Sequence, residues 1–217
     1  MKENTSCPLC AQANPSEFHK DAMRKYFLCQ KCKLVFVPIN QQILLSEEKK
    51  HYDRHQNNPM DERYRNFLNK LVKEIKPKLA NNSFGLDYGC GSGPTISVML
   101  GEQGHNVSNF DPLYNNNSKL LELSYDFITA TEVAEHFKSP QKEFEKLFEM
   151  LKPGGYLGLM TNRWTTLESF KTWYYIRDLT HISFFCEETF EYIAKKFNAS
   201  LEITGSDVAI FQINPLK

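Results

Sequence analysis

Residues 86–94 read Leu86-Asp87-Tyr88-Gly89-Cys90-Gly91-Ser92-Gly93-Pro94, and nothing else in the chain resembles them. Glycines at 89, 91 and 93 let the backbone turn tightly and let a ligand approach without side-chain obstruction. The turn lies between a short apolar segment, Phe84 to Tyr88, and a helical pattern from Thr95 to Gln103. A strand that enters such a turn and leaves as a helix commits the chain to strand–helix–strand construction, and the rest of the sequence keeps that alternation. Upstream, Tyr64, Phe67, Leu68, Leu71, Val72 and Ile75 form one apolar helical stripe that ends before Pro77. Downstream, strands are predicted over 106–110, 125–130 and 156–161, with a helix starting at Ser139-Pro140 that aligns Phe144, Leu147, Phe148 and Leu151. A helix from Glu187 to Phe197 follows, then two apolar runs, 201–204 and 208–213, around Gly205-Ser206-Asp207 in the manner of a hairpin. The expected fold is α/β: a mostly parallel sheet with helices on both faces and an antiparallel C-terminal strand.

The chain has 217 residues with 26 basic and 26 acidic side chains, so no global positive field draws it to nucleic acid or to an anionic membrane. Its 41% hydrophobic content supplies a real core. No apolar run approaches the roughly 18–20 residues needed to span a bilayer, and the start lacks the apolar stretch of a signal peptide, so a cytoplasmic location without membrane contact is expected.

Cys7-Pro8-Leu9-Cys10 and Cys29-Gln30-Lys31-Cys32 are separated by 18 residues, the spacing of a four-thiolate zinc site. Residues 1–40 are therefore expected to form a small zinc-ribbon module whose Zn2+ is structural, since all four coordination positions are filled. Its six basic and three acidic residues, set against a zinc tetrathiolate of charge about −2, leave little positive charge for a phosphate backbone. Residues 41–60 are polar and end in Asn57-Asn58-Pro59, as a linker does, although Ile43-Leu44-Leu45 offers something to dock. Residues 61–217 form the main domain. Cys186 is expected to be buried near a helix start.

In an open α/β sheet, ligands bind beyond the carboxyl ends of the strands where strand order reverses. A dinucleotide turn would place its third glycine at position 94, which is proline here. Asp111 lies 18 residues past Gly93, at the predicted end of the second strand, where a carboxylate can accept both hydroxyls of a ribose. Asp87 can face a cationic amine or order the loop. With Leu86 to Gly93 and Asp111, two further segments, Thr129-Ala130-Thr131-Glu132-Val133-Ala134-Glu135-His136 and Leu151-Lys152-Pro153-Gly154-Gly155-Tyr156, complete an ordered set. It resembles that of class I S-adenosylmethionine-dependent methyltransferases, the Rossmann-like family, in its small-molecule or ubiquinone-type branch. The resemblance implies that Asp87, Tyr88, Gly89, Cys90, Gly91, Gly93, Asp111 and Pro112 hold S-adenosyl-L-methionine, with Thr131 and Glu132 closing the adenine pocket. One departure is visible: between Asp111 and Tyr125 there is little room for the family's third strand.

Methyl transfer from a sulfonium is an in-line displacement that asks the protein mainly for alignment and a dry site. A base is needed only for an acceptor that arrives protonated, and His136 and His181 are the catalytic candidates. Glu132, Glu135 and His136 stand at i, i+3 and i+4 and can share a helical face. That arrangement also resembles the metal-binding motif of certain methyltransferases acting on RNA 3′-end hydroxyls or catechol-type rings, where a further histidine, here His181, completes the set. The competing reading is solvated glutamates and a packed histidine. The aromatic stretch from Trp164 to Phe185 either lines an apolar acceptor pocket, or packs over the sheet or forms a dimer contact. The leading expectation is a methyltransferase with a small-molecule acceptor. An RNA (tRNA or rRNA) methyltransferase that uses the ribbon as a clamp is the first alternative, and a non-catalytic cofactor-binding scaffold the second. The acceptor atom and oligomeric state are left open.

Overall fold

The computed structural model describes residues 6–53 and 57–214. Lys2 and Glu3 of the charge count, and residues 54–56 of the expected linker, lie outside the described residues. Along the chain come β1 (Ser16–Lys20), β2 (Lys25–Leu28), β3 (Val35–Phe36), α1 (Leu45–Tyr52), α2 (Glu62–Ile75), β4 (Phe84–Tyr88), α3 (Thr95–Gly101) and β5 (Asn106–Phe110). They are followed by β6 (Tyr125–Thr131), α4 (Pro140–Glu149), β7 (Leu151–Met160), α5 (Leu167–Thr172), β8 (Ser183–Phe184), α6 (Glu187–Lys196), β9 (Ala199–Thr204) and β10 (Val208–Ile213).

The main sheet has the order β5-β4-β6-β7-β10-β9. Strands β5, β4, β6 and β7 are parallel, and β10 enters antiparallel between β7 and β9, as the C-terminal hairpin pattern predicts. The stripe on α2 buries Leu68, Leu71, Val72 and Ile75 with Ile96, Met99 and Leu100 of α3 on one face of the sheet. On the other face, Phe144, Leu147 and Phe148 of α4 pack with Phe190 and Ile193 of α6. Asp61 caps α2, its carboxylate accepting from the amides of Arg63 and Tyr64. Leu151, expected on the helical face of α4, instead opens β7 opposite Tyr125. The following Pro153-Gly154-Gly155 cannot continue a helix, and the pairing with β6 shifts register there. Where the family's third strand would run, Asp111 bridges Asn115 and residues 118–122 form a 3-10 turn, which leaves β5 at the edge of the sheet.

The N-terminal segment is built into the same body. Its hairpin β1–β2 continues through β3 onto β8, so a four-stranded antiparallel sheet takes its last strand from residue 183 onward. The aromatic stretch packs here: Phe170, Tyr175, Ile176 and Phe184 share a buried cluster with Tyr26, Val35 and Val37. These rings thus pack against the N-terminal strands, while Phe185, at the end of the stretch, joins the core of the main domain. Among the described residues, no helix is long and apolar enough to cross a membrane.

Candidate active site

Strand order reverses at β4, with β5 on one side and β6 on the other, and a cleft of about 670 Å³ opens at the carboxyl ends of these strands. The glycine turn forms its floor. Gly89 has φ +76° and a Cβ there would sit 2.5 Å from Val133, so the position is closed to any side chain. At Gly93 the obstacle is backbone: a Cβ would lie 1.9 Å from the carbonyl oxygen of Asn57. Amides of Gly89 and Cys90 both donate to the Phe110 carbonyl, at 2.7 and 3.2 Å, which ties the turn to the end of β5.

Asp111 borders the cleft, with one carboxylate oxygen accepting from the Gly91 amide at 3.0 Å and the other from the amides of Leu113 and Tyr114 at 2.8 and 3.0 Å. Three of its roughly four acceptor positions are thus committed to loop amides. Asp87 is buried beside it, holds a 3.1 Å bond from the Thr129 hydroxyl, and has its carboxyl pushed up to about 7 by burial, with the Asp111 charge adding to the rise. Tyr88, Cys90, Pro112, Thr131 and Glu132 also line the cleft. The Tyr88 hydroxyl is spent on Glu143 of α4 at 2.5 Å, and burial pushes the Cys90 thiol up to about 12. Glu132 has φ +52°, an unusual backbone for a glutamate, held by its amide's 2.7 Å bond to the Met160 carbonyl. Burial and the charges of Glu135 and Asp207 push its carboxyl up to about 9, against the pull of Lys70. Leu113 and Tyr114 of the Asp111 loop line the cleft as well.

Glu135, His136 and His181 are brought together, offering one ligand atom each within 4.8 Å of one another; Glu132 falls outside that group. His136 Nδ1 meets the Thr180 carbonyl at 3.1 Å and His181 Nδ1 meets the Tyr175 carbonyl at 2.8 Å. Burial, aided by His136, lowers the His181 pKa to about 4. Asp178, two residues before Thr180, is held at about 2 because bonds from the Thr180 hydroxyl and amide, with His181 and His51, outweigh its burial.

Sequence reasoning missed the cover of the cleft. The segment read as a linker carries α1, whose Glu48 accepts from Tyr52 at 3.0 Å and from Lys138 at 2.9 Å. The Tyr52 ring stands edge-on to His136, and His51 Nε2 lies 2.9 Å from Asp178. Glu48, Tyr52, Asn57 and Tyr64 all border the cavity. The one available signal was the i, i+4 spacing of Glu48 and Tyr52 within a polar stretch.

The four cysteine sulfurs lie within 4.8 Å of one another, with Cys7 to Cys32 at 3.5 Å and Cys10 to Cys29 at 3.4 Å. Tetrahedral ligands at about 2.3 Å from a zinc ion stand roughly 3.8 Å apart, so the donor set fits that ion. Both pairs close the same way: Ala11 and Lys33, each just past the second cysteine, have φ near +57° and +58° and donate to the carbonyl of the first at 2.9 Å.

A switch-point cleft over a glycine turn, with an acidic residue at the neighbouring strand tip, is the geometry that Rossmann-like S-adenosylmethionine-dependent methyltransferases share with other nucleotide-binding α/β sheets. Residues 60–202 match the family described as a methyltransferase domain, and the chain belongs to it. Solved structures repeat the fold. The PH0226 protein of Pyrococcus horikoshii OT3 aligns with 77% of this chain and 99% of its own at 15% identity and a TM-score of 0.55. An O-methyltransferase family protein from Burkholderia thailandensis aligns over 77% and 63% at 11% identity and a TM-score of 0.50. Phosphoethanolamine N-methyltransferase 2 of Haemonchus contortus, solved with S-adenosyl-L-methionine, aligns over 70% and 53% at 16% identity and a TM-score of 0.50. The match thus spans less than two thirds of the latter two chains. Among curated proteins, none matches this sequence.

Proposed function

We propose that the protein transfers the methyl group of S-adenosyl-L-methionine to a small-molecule acceptor held beneath α1, with a structural zinc on Cys7, Cys10, Cys29 and Cys32. The observation that carries this reading is the cover itself: α1, the Asn57 backbone and the loop bearing Asp178 and His181 lie over the cleft, leaving room for a cofactor and a compact partner. The bound cofactor would supply an electrophilic methyl on its sulfonium. The chain's part is to seat it: Gly91, where a Cβ would meet nothing nearer than 3.8 Å, offers the open part of the turn, Asp87 a carboxylate for the amino group, and Asp111 its remaining acceptor position for a ribose hydroxyl. Leu113 and Tyr114, beside Asp111, are better placed than Thr131 and Glu132 to flank an adenine. His136 and His181 present Nε2 toward the acceptor.

The N-terminal residues speak against an RNA clamp. Arg24 is turned into the fold and Lys25 is paired with Glu17 at 3.3 Å, so two of the module's basic groups are already engaged. Salt-dependent RNA binding lost on neutralising Lys31 and Lys33 would restore the clamp.

Calorimetry with S-adenosylhomocysteine should show binding, and Asp111→Ala should weaken it by about 1–3 kcal/mol. No heat and no thermal shift with the wild-type protein would remove cofactor use; binding with no labelled methyl passed to any acceptor of a broad panel would favour the scaffold.

A pH dependence follows from Asp87. With its carboxyl near 7, the cofactor's amino group meets a neutral acid below that pH and a carboxylate above it. Affinity for S-adenosylhomocysteine should therefore rise as pH passes from 6 to 8, and Asp87→Asn should flatten the rise. Apo stability runs the other way. Between the unfolded pKa, about 4, and 7 the native protein keeps a proton that the unfolded chain has released, so this group's contribution to stability falls as pH rises through that window.

A further inference from the structure

His136 and His181 line the cleft, and the buried Glu135 stands behind them. Glu135 is fully buried, and only one of its oxygens is satisfied, accepting from the Tyr175 hydroxyl at 2.6 Å; the other, Oε2, has no partner among the described residues. A buried carboxylate oxygen without a donor costs more free energy than an unmade neutral bond, so such a group is retained where something positive meets it. The flanking imidazoles are oriented for that task. Each turns Nδ1 to a backbone carbonyl, Thr180 for His136 and Tyr175 for His181, so Nδ1 carries the hydrogen and Nε2 carries the lone pair. His136 Nε2 lies 3.9 Å from Glu135 Oε1, and the rings stand 4.8 Å apart at 69°. Atoms bound at 2.0–2.2 Å to one ion are at most about 4.4 Å apart, and the present spread, within 4.8 Å, closes by a few tenths of an ångström. The supports come from separate elements: the Ile182 amide donates to the Glu135 carbonyl at 2.8 Å, which locks the two ligand-bearing loops together.

We propose that Glu135, His136 and His181 bind one divalent first-row transition-metal ion, distinct from the ion of the four cysteines, whose open positions face the cleft and take an oxygen ligand of the methyl acceptor. Two neutral imidazoles and one carboxylate favour ions of the manganese-to-zinc row over magnesium or calcium, which prefer oxygen donors throughout. Glu132 stays outside the ligand set. This inference rests on the methyltransferase reading only for the identity of the oxygen ligand; the ion site stands on its own geometry.

The test uses the full chain with its cysteine site zinc-loaded, in the presence of S-adenosylhomocysteine. Mn2+, which competes poorly for thiolates, is titrated and followed by electron paramagnetic resonance, with Co2+ as the higher-affinity second probe. One ion per chain beyond the thiolate zinc is expected. Glu135→Gln and His181→Gln should each weaken binding at least 30-fold while S-adenosylhomocysteine affinity stays within threefold. His136→Gln, at a half-buried position, provides the same reading should the buried variants fail to fold. Absence of Mn2+ and Co2+ binding at millimolar concentration, or undiminished binding by the folded variants, would overturn the site. Failure of S-adenosylhomocysteine to bind, with Mn2+ still held by these three residues, would instead strike the methyltransferase reading and leave the ion site standing.

Discussion

Arg24→Leu is expected to lower the stability of the protein by about 3–5 kcal/mol, which for a chain of this size is roughly 10 °C in Tm. Arg24 is 4% exposed, and its guanidinium donates to the carbonyls of Ile176, Asp178 and Leu179 at 3.0, 2.9 and 3.0 Å and to the Tyr26 hydroxyl at 2.9 Å. Leucine fills much of the volume and supplies no donor, so three carbonyls each lose a donor at once, and Leu179 loses the one that reaches it from Arg24. The Asp178 carbonyl also accepts from the His181 amide, so the turn that aims His181 into the cleft is fastened by the same group. Turnover should therefore fall more steeply than cofactor affinity, because the glycine turn and Asp111 take no bond from Arg24. Arg24→Lys should recover less than half of the loss, since an ammonium lacks the planar fork that reaches three carbonyls. Thermal unfolding of both variants with S-adenosylhomocysteine titration checks this; a Tm within 2 °C of wild type for Arg24→Leu would show that the loop is held by other contacts.

Removal of a thiolate is expected to have the larger effect. Cys29→Ser should reduce zinc from about one per chain to none and destabilise the protein by more than about 4 kcal/mol, a fraction of what a structural zinc contributes to a small module. The reason lies in what the knuckles hold. Leu34, Val35, Phe36 and Val37 follow the second pair directly and are all essentially buried. Val35 and Phe36 pair with Phe184 and Ser183, and the Val37 amide donates to the Ile182 carbonyl at 2.9 Å. Releasing the sulfurs frees the strand that covers the cluster around Phe170, Tyr175 and Phe184, and with it the loop carrying Asp178 and His181. Metal analysis and denaturant unfolding decide the matter. A variant that is metal-free yet as stable as wild type would show that the strands hold without the ion.

On both expectations the cysteine module would influence the site indirectly, through its bonds to the backbone of the loop opposite the glycine turn. Among the described residues, it presents no side chain to the cleft. Its buried arginine and its third strand are both directed at residues 176–184.

Much of this was legible in residue order. The glycine turn, the apolar stripe on α2 and the closing hairpin are local patterns, in which spacing alone sets strand, helix and turn. They fixed the parallel sheet, its antiparallel addition and the position of the cleft. The two cysteine pairs likewise announced their ligand geometry, because a knuckle is a contact between residues three apart. The missing third strand could be anticipated from chain length between Asp111 and Tyr125.

What sequence could not decide was which distant segments meet. Residues 45–52 are polar and read as a connector; only packing over the cleft reveals Glu48 and Tyr52 as part of its wall. Gly93 looked like an opening for a ligand, yet the Asn57 backbone already leans on it. Glu135 could be read as a metal ligand or as a solvated helix residue, and tertiary contacts bury it completely beside His181, a residue 46 positions away. Local periodicity is written in neighbouring side chains, whereas burial and the convergence of charges depend on long-range closure, whose free energy is spread across the whole core and so leaves no mark at any single position.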